Sequence, residues 1–526
     1  MRALGLTARQ LLVPAAVYLV MFTIFTWPWI ADFSHEFFTD SGDGYQNVWN
    51  MWWVNHSVTV LHRLPWSTTS LHYPYGTTLL GQTMNPFNGL TAIALLRFLT
   101  LTQAFNTMIV FSFVATGVTG FWLCQYFCRR FIPALIGGAM ISFSSYHLAK
   151  NLGLVQLVSL EWVPLFLLLW WRLLAEPGPQ QTRRAVGAAV VLALVLLCDY
   201  YYFLFTVVGA AAIALHLRRH RQLHPARRAM AVFGALAAVL ALPLPAALAI
   251  SNIVDPMSGG HPSQSTDLLS FLIDGGNWRF AGLTDWYYGS GRQGVVESTV
   301  YLSVTGAVLL AIGVARRKRF GLPTGFWLCW TAAAVVLALG PVLTIHGHRT
   351  GIPLPFDLLR VALPFLEYNI EPARIVVMAT ISTAVIASIV LSGIGRRAWW
   401  GLVAPVLALE LWPARPPSAP VDRPAYVTVL AAQPPGGVID AATSDKSQQL
   451  YDAVFDGHPL AFGYISRTPA SVSRKDAQLA QAIEQHDYPR LCADGFRYLT
   501  SPANRTWPAP ARMIYDGGGA LVYRIC

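Results

Sequence analysis

Charge is what this sequence has least of. Only 12% of its 526 residues are charged, while 54% are hydrophobic; a soluble domain carries about a quarter charged residues. That balance excludes an ordinary water-soluble globule. Acids are scarcer than bases, 26 against 37, for a net charge of +11. The arginines fall between hydrophobic blocks, where they read as topology signals and not as a nucleic-acid surface, so no nucleic-acid partner is expected. Cysteine is sparse, with six residues and no metal-binding spacing. Cys124 and Cys128 lie four apart in an apolar block, which reads as core packing. Cys492 and Cys526 lie in the polar tail, where an oxidising compartment would let them pair. Walker A, zinc-protease, G-x-S-x-G and dinucleotide motifs are all missing. Energy from nucleotide hydrolysis by this chain is therefore not expected, and an already activated substrate is. The sequence shows no internal repeat, which weakens an inverted-repeat transporter reading.

Long apolar blocks are what the chain has instead. LLVPAAVYLVMFTIFTWPWI (Leu11–Ile30) is long enough to cross a bilayer, which takes about 20 residues. It exceeds the apolar core of a signal peptide, about 7–15 residues, and no small-residue cleavage site follows it. It therefore reads as a retained helix. The apolar pattern predicts eleven crossings, near 11–32, 104–127, 131–150, 154–174, 184–199, 201–217, 228–250, 298–315, 324–345, 372–393 and 398–413. Arg2 and Arg9 put the N-terminus in the cytoplasm by the positive-inside rule. Alternate connections then carry Arg129 and Arg130, Arg172, Arg183 and Arg184, Arg218 to Arg228, Arg316 to Arg319, and Arg396 and Arg397, with Glu176 as their one acid. The opposite connections carry Asp40, Asp43, Asp199, Asp255, Asp267, Asp274, Asp285, Glu297, Asp357, Glu367 and Glu371. NPFNGLTAIALLRFLTL (Asn85–Leu101) is apolar but short and contains Arg97, so it reads as re-entrant or interfacial.

This layout leaves external loops at 33–103, 251–297 and 346–371 within a membrane domain of residues 1–413. WPARPPSAPVDRP (Trp412–Pro424) reads as a linker, and residues 414–526 are predicted to form a small extracytoplasmic α/β domain of about 110 residues. The fold class expected is an all-α polytopic membrane protein with that appended domain, in a bacterial inner membrane.

Candidate site residues cluster on the acidic side. In FFTDSGDGYQNVWNMWW, SGDG is a tight turn that glycine permits, and Asn47, Asn50 and His56 follow Asp40 and Asp43. Trp49, Trp52 and Trp53 suit an interfacial helix. A partly desolvated carboxylate holds its proton more tightly than usual, so Asp43, and after it Asp40, could accept a proton or bind a divalent cation such as magnesium or manganese. ISFSSYHLAKNLGLVQLVSLEWVP adds Tyr146, His147, Lys150 and Glu161. Glu161 inside an apolar block is a functional candidate by its cost alone, with pairing to Lys150 or an arginine as the structural reading. In CDYYYF, Asp199 with Tyr200, Tyr201 and Tyr202 could bind sugar hydroxyls, and an aromatic belt plus a helix cap explains the same letters. LPFLEYNIEPARIVVM sets Glu367, Glu371 and Arg374 at a helix start. Arg374 is a phosphate-binding candidate, with an ion pair to Glu371 or Glu367 as the alternative.

The order of these parts resembles the GT-C superfamily of membrane glycosyltransferases, which take sugars from polyprenyl-phosphate carriers on the external side. GDGYQNVWNMWW, HYPYGTTL, NPFNGL, SLEWVPLFLLLWWR, ESTVYLS, LALGPVLTIHGHRTGIPLPF, EPARIVVM and GHPLAFGYISR look like a bacterial GT-C-like membrane protein family over nearly the whole chain. The resemblance implies a catalytic aspartate in the first external loop, best matched by Asp43 and then Asp40. The later acidic motif of the superfamily lacks a clear counterpart, with Asp199, Asp267 and Asp285 as candidates. It further implies a polyprenyl-phosphate sugar donor and an envelope glycan, lipid or protein acceptor. A flippase of lipid-linked sugars and a non-catalytic envelope assembly factor are the rival readings.

Overall fold

The computed structural model describes residues 7–259, 263–275, 277–288, 299–363, 366, 371–394 and 397–526. Arg2, Glu297, Glu367 and Arg396, which entered the charge pattern above, lie outside the described residues. The protein is mostly helical and divides into two compact units. One comprises residues 1–32, 106–243 and 261–417; the other comprises 33–105, 244–260 and 418–526. The tail beyond residue 417 thus shares its unit with the whole of the first long loop.

Seven helices among the described residues are long and apolar enough to cross a membrane, or eight if the consecutive pair Arg227–Leu240 and Pro243–Val254 counts as one. They make the protein a multi-pass membrane protein. Burial separates central from peripheral spans. Val155–Ala175 and Pro372–Ile394 are each 89% buried, whereas Arg9–Thr26 is 28% buried. The latter turns Leu12, Val20 and Ile24 outward, as a helix does when its surroundings are themselves apolar.

Close packing at the centre depends on small residues. A Cβ on Gly138 would lie 2.2 Å from the Tyr18 hydroxyl, and one on Gly137 would lie 2.2 Å from Ser388 Oγ. Glycine there lets helix backbones approach, the usual device of membrane bundles. At the basic connection after Ala175, Glu176 bonds Arg184 at 2.7 Å and Arg172 at 3.1 Å, so the one acid expected in those loops is held by two of their arginines.

The other unit carries the acidic loop and a four-stranded sheet. Gly437–Asp440 runs parallel to Phe496–Pro502, which pairs antiparallel with Ala520–Arg524, and that strand with Arg512–Gly517. Strand Glu36–Phe37 pairs with Ala419–Pro420. His72 and Tyr75 of the HYPYG stretch both bond Asp476, at 2.9 and 2.5 Å. Pro86–Leu95 is a ten-residue helix, and ten residues rise only about 15 Å. That is about half the hydrocarbon thickness. Its cap is Asn85, which accepts from the Asn88 amide at 3.1 Å.

The indoles depart from expectation. Trp49 and Trp53 are 1% and 0% exposed and stack at 5.5 Å. They pack in a core with Leu71, Leu79, Leu450 and Leu460. The rings are interior to this unit, because the helix Lys446–Asp456 covers them.

That unit also carries a pH response. Burial pushes the Asp456 carboxyl up to about 8 and the Asp452 carboxyl up to about 6, against about 4 when unfolded. The folded state therefore binds protons that the unfolded chain releases, and stability falls as pH rises from about 4 through 6 to about 8. Hydrogen exchange at strands Gly437–Asp440 and Phe496–Pro502 should be slower at pH 6 than at pH 8, after correction for intrinsic rates. Asp456→Asn should slow it at pH 8 and flatten the dependence. Greater protection at pH 8 in the wild type would contradict the assignment.

Candidate functional site

The sequence candidates divide between the two units. Asp40 and Asp43 belong to the unit with the sheet; His147, Lys150, Glu161, Asp199, Tyr201, Glu371 and Arg374 belong to the helical unit.

Asp43 opens the helix Asp43–Thr59, whose N-terminal amides carry partial positive charge. Asp40 folds back on the turn and accepts the Gly44 amide at 2.8 Å. A Cβ on Gly44 would lie 2.5 Å from the Thr39 side chain, so glycine is what lets the turn close. Asp40 is half-buried, and burial raises its pKa above the ordinary aspartate range. The Gly44 and Gly42 amides offset part of this, while the neighbouring Asp43 and Asp445 add to it. Tyr464 donates its hydroxyl to Asp43 Oδ1 at 2.5 Å. That tyrosine is itself placed by Gln46, which donates to the Tyr464 carbonyl at 2.8 Å and accepts from Thr83. The face therefore offers two adjacent carboxylates, a third at Asp445, and a phenol aimed at one of them.

The remaining polar residues of YQNVWNMWW make the following contacts. Asn47 donates to the Asp43 carbonyl and Asn50 to the Thr83 carbonyl, while His56 stacks on Trp52 at 4.7 Å. Tyr464 and Asp445 were not visible as site residues in the sequence. Tyr464 falls within GHPLAFGYISR, but no spacing marks it, because its partner lies 421 positions away.

The helical unit gathers a different set. Asp199 caps the helix Tyr200–Arg219 by accepting the Tyr201 and Tyr202 amides at 2.7 and 3.1 Å, which is the capping half of the two readings of CDYYYF. Arg374 lies 4.6 Å over the Tyr201 ring. The Tyr202 hydroxyl reaches Tyr146 at 3.4 Å and the Leu157 carbonyl at 2.5 Å, and Lys150 lies 5.1 Å over the Tyr146 ring. Lys150, Tyr146, Tyr202, Asp199, Tyr201 and Arg374 thus form one continuous chain, with a cation on an aromatic face at each end. Arg374 donates its backbone amide to the Glu371 carbonyl at 3.1 Å.

His147 and Glu161 make other contacts. Both ring nitrogens of His147 meet main-chain carbonyls, Ser142 at 2.6 Å and Val158 at 2.7 Å. Glu161 Oε2 accepts from Ser112 at 2.8 Å, and its Oε1 is buried without a hydrogen-bond partner. Of the candidates for a later acidic motif, Asp267 is spent on the Leu269 and Gly347 amides, and Asp285 is exposed.

Among the described residues no three His, Cys, Asp or Glu side chains gather to hold a metal ion. Asp40 and Asp43 supply two carboxylates, the number a protein commonly gives magnesium when phosphate oxygens and waters complete the shell.

The family described as "Domain of unknown function (DUF6311)" matches residues 14–366. No curated protein matches the sequence. Among solved structures, the arabinofuranosyltransferase AftD from Mycobacteria is similar with TM-score 0.54 and 14% identity over 99% of this chain and 40% of its own. A mutant of that enzyme gives 0.57 at 14% identity, over 99% and 42%. The oligosaccharyltransferase of Archaeoglobus fulgidus, in complex with zinc and sulfate, gives 0.50 at 11% identity, over 93% and 68%. This chain thus spans about two fifths of the mycobacterial enzyme. Likeness at such identities bears on the fold alone, which this chain shares with those enzymes.

Proposed function

The chain belongs to the DUF6311 family, and from that premise we propose that it is a membrane glycosyltransferase. It moves a sugar from a polyprenyl-phosphate carrier to an extracytoplasmic glycan, lipid or protein of the bacterial envelope. The observation that carries this reading is Asp43, a carboxylate at a helix start, held by Tyr464 at 2.5 Å beside half-buried Asp40 in a GT-C fold.

In the proposed reaction the acceptor hydroxyl oxygen bonds to the anomeric carbon while the bond from that carbon to the carrier phosphate breaks. The hydroxyl proton passes to Asp43 as general base, and the phosphate departs on its lipid. A single displacement inverts the anomeric centre. Tyr464 fixes the carboxylate, and Asp40 holds the turn beside it by accepting the Gly44 amide. Arg374, half-buried with its guanidinium over the Tyr201 ring, is the helical unit's candidate for the carrier phosphate, with Lys150 as the second cation along the same tyrosine chain. Electrostatic stabilisation of a departing phosphate is commonly the largest catalytic contribution. A magnesium or manganese ion would be held by Asp43 and Asp40 and would neutralise phosphate charge; no step depends on it here.

The topology proposed with this function has eleven crossings. The seven long apolar helices and the consecutive pair make eight, and Val304–Ala315, Leu322–Ala338 and Trp399–Glu410 are shorter apolar helices that supply three more. The N-terminus is cytoplasmic and the sheet external, the side on which the bond between Cys492 and Cys526 persists.

The test is transfer of radiolabelled sugar from synthetic polyprenyl-phosphate donors to membrane acceptors by the purified chain in vesicles. Donor-dependent labelling supports the reading. Movement of the carrier across sealed vesicles in the absence of acceptor, with no transfer, would identify a flippase instead. Tyr464→Phe keeps the ring and loses the hydrogen bond to a charged group, worth about 1.5 kcal/mol or more. It should lower kcat about tenfold while KM for the donor stays within a factor of two, and an unchanged kcat would remove Tyr464 from the site.

A further inference from the structure

A concavity of about 710 Å³ opens in the helical unit between Val304–Ala315, Val376–Ile394 and Arg397–Glu410. That volume lies in the range of ligand sites, about 300–1,000 Å³. Its walls are apolar, with Val308 and Ile312 from the first helix, Leu391 and Ile394 from the second, and Leu402 and Val406 from the third. Val308, Leu402 and Val406 are 54%, 56% and 41% exposed, so this is a surface waiting for apolar contact and not a filled core.

The two ends differ in charge. Arg316 and Arg319 line one end, part of the run Arg316–Arg319, and both are exposed. Arg319 is fixed at the mouth by donating to the Gly393 carbonyl at 3.2 Å. Neither pairs with a carboxylate among the described residues. Half-exposed Trp399 lines the concavity as well, and an indole of that kind marks the level of lipid headgroups. At the opposite end Glu410 accepts the Thr305 amide at 3.1 Å, which sets an anion against that end.

We propose that this groove binds an anionic phospholipid of the leaflet on the arginine side. Its phosphate sits on Arg316 and Arg319, and one acyl chain lies along Val308, Leu402 and Val406 toward Glu410. Basic pockets between membrane helices recognise anionic headgroups in this way. The site is independent of the transfer reaction and of the residues assigned to it.

The experiment is native mass spectrometry of the full chain released from nanodiscs of equal phosphatidylglycerol and phosphatidylcholine. The wild type should retain phosphatidylglycerol in preference. Removing both charges in Arg316→Gln/Arg319→Gln should lower that retention roughly 30-fold, about fivefold per cation. Val308→Trp keeps the charges and fills the groove; it should abolish retention, and Leu402→Trp should do the same by an independent route. Inorganic phosphate should not displace the lipid, because the chain is part of what is recognised. Equal retention of the two lipids, or indifference to both kinds of variant, overturns the proposal. So does a dimer mass that disappears with Val308→Trp, which would make a second copy the occupant.

Discussion

Asp43→Asn is expected to reduce sugar transfer by a factor of 10² to 10⁴, the range a positioned general base contributes, while expression, helicity and elution volume stay as in the wild type. The change replaces one oxygen by an amide of nearly equal size. An asparagine carbonyl still accepts from Tyr464, and the helix start at Asp43 does not use that side chain as a cap. Structural loss should therefore be small and chemical loss large. Asp40→Asn supplies the comparison. Its Oδ1 serves the Gly44 amide at 2.8 Å, a bond an asparagine oxygen can keep, so its effect should be no more than about tenfold. A variant at Asp43 retaining more than a tenth of wild-type transfer would end the assignment. The reverse ranking would exchange the two roles.

Seven membrane helices, or eight with the bent pair, were legible among the described residues, because crossing a bilayer imposes a length and an apolar composition that little else imposes. What the apolar count could not resolve was how spans break. The stretch 131–150 divides at Phe143 because Ser144 caps a second, short helix by accepting the His147 amide at 3.3 Å. Its His147 then spends both nitrogens on carbonyls. Only the serine cluster ISFSS hinted at that. Asp199 was half legible, since a residue before three tyrosines at a helix start is equally a cap and a ligand; the two amide bonds show the cap.

The indoles illustrate the opposite failure. Tryptophan suits an interface and a core for the same reason, a large apolar ring with one polar atom. What decides between them at Trp49 and Trp53 is cover supplied by residues some 400 positions later, near Leu450 and Leu460. The same long reach hid Tyr464. A titratable pair made by the tail and the first loop leaves no local spacing, so the acids could be nominated from SGDG while their donor could not.

The second large effect is expected from the bond between Cys492 and Cys526, whose Cα atoms lie 5.8 Å apart at a sequence separation of 34. Closing a loop of that length in the unfolded chain removes entropy worth about 3.8 kcal/mol in the chain-entropy account. A domain is typically stable by about 5–15 kcal/mol, so the bond is a large share of what holds the sheet together. The loop encloses three of the four strands. Cys526→Ser should lower the denaturant midpoint of the sheet-bearing unit by an amount corresponding to about 3–4 kcal/mol, and dithiothreitol should do the same to the wild type and nothing further to the variant. Leu491 and Ile525, buried beside the two cysteines, keep the ends packed, so the expected result is loss of stability and not outright unfolding. Because Tyr464 belongs to the same unit as Asp43, reduction should also weaken transfer without touching any group that reacts. Alkylation reads the bond directly. Cys124, Cys128, Cys198 and Cys329 are free thiols, so denatured protein prepared without reductant should take up four labels, and reduced protein six. Six labels without reduction would remove the bond, and with it the argument that the sheet faces an oxidising compartment.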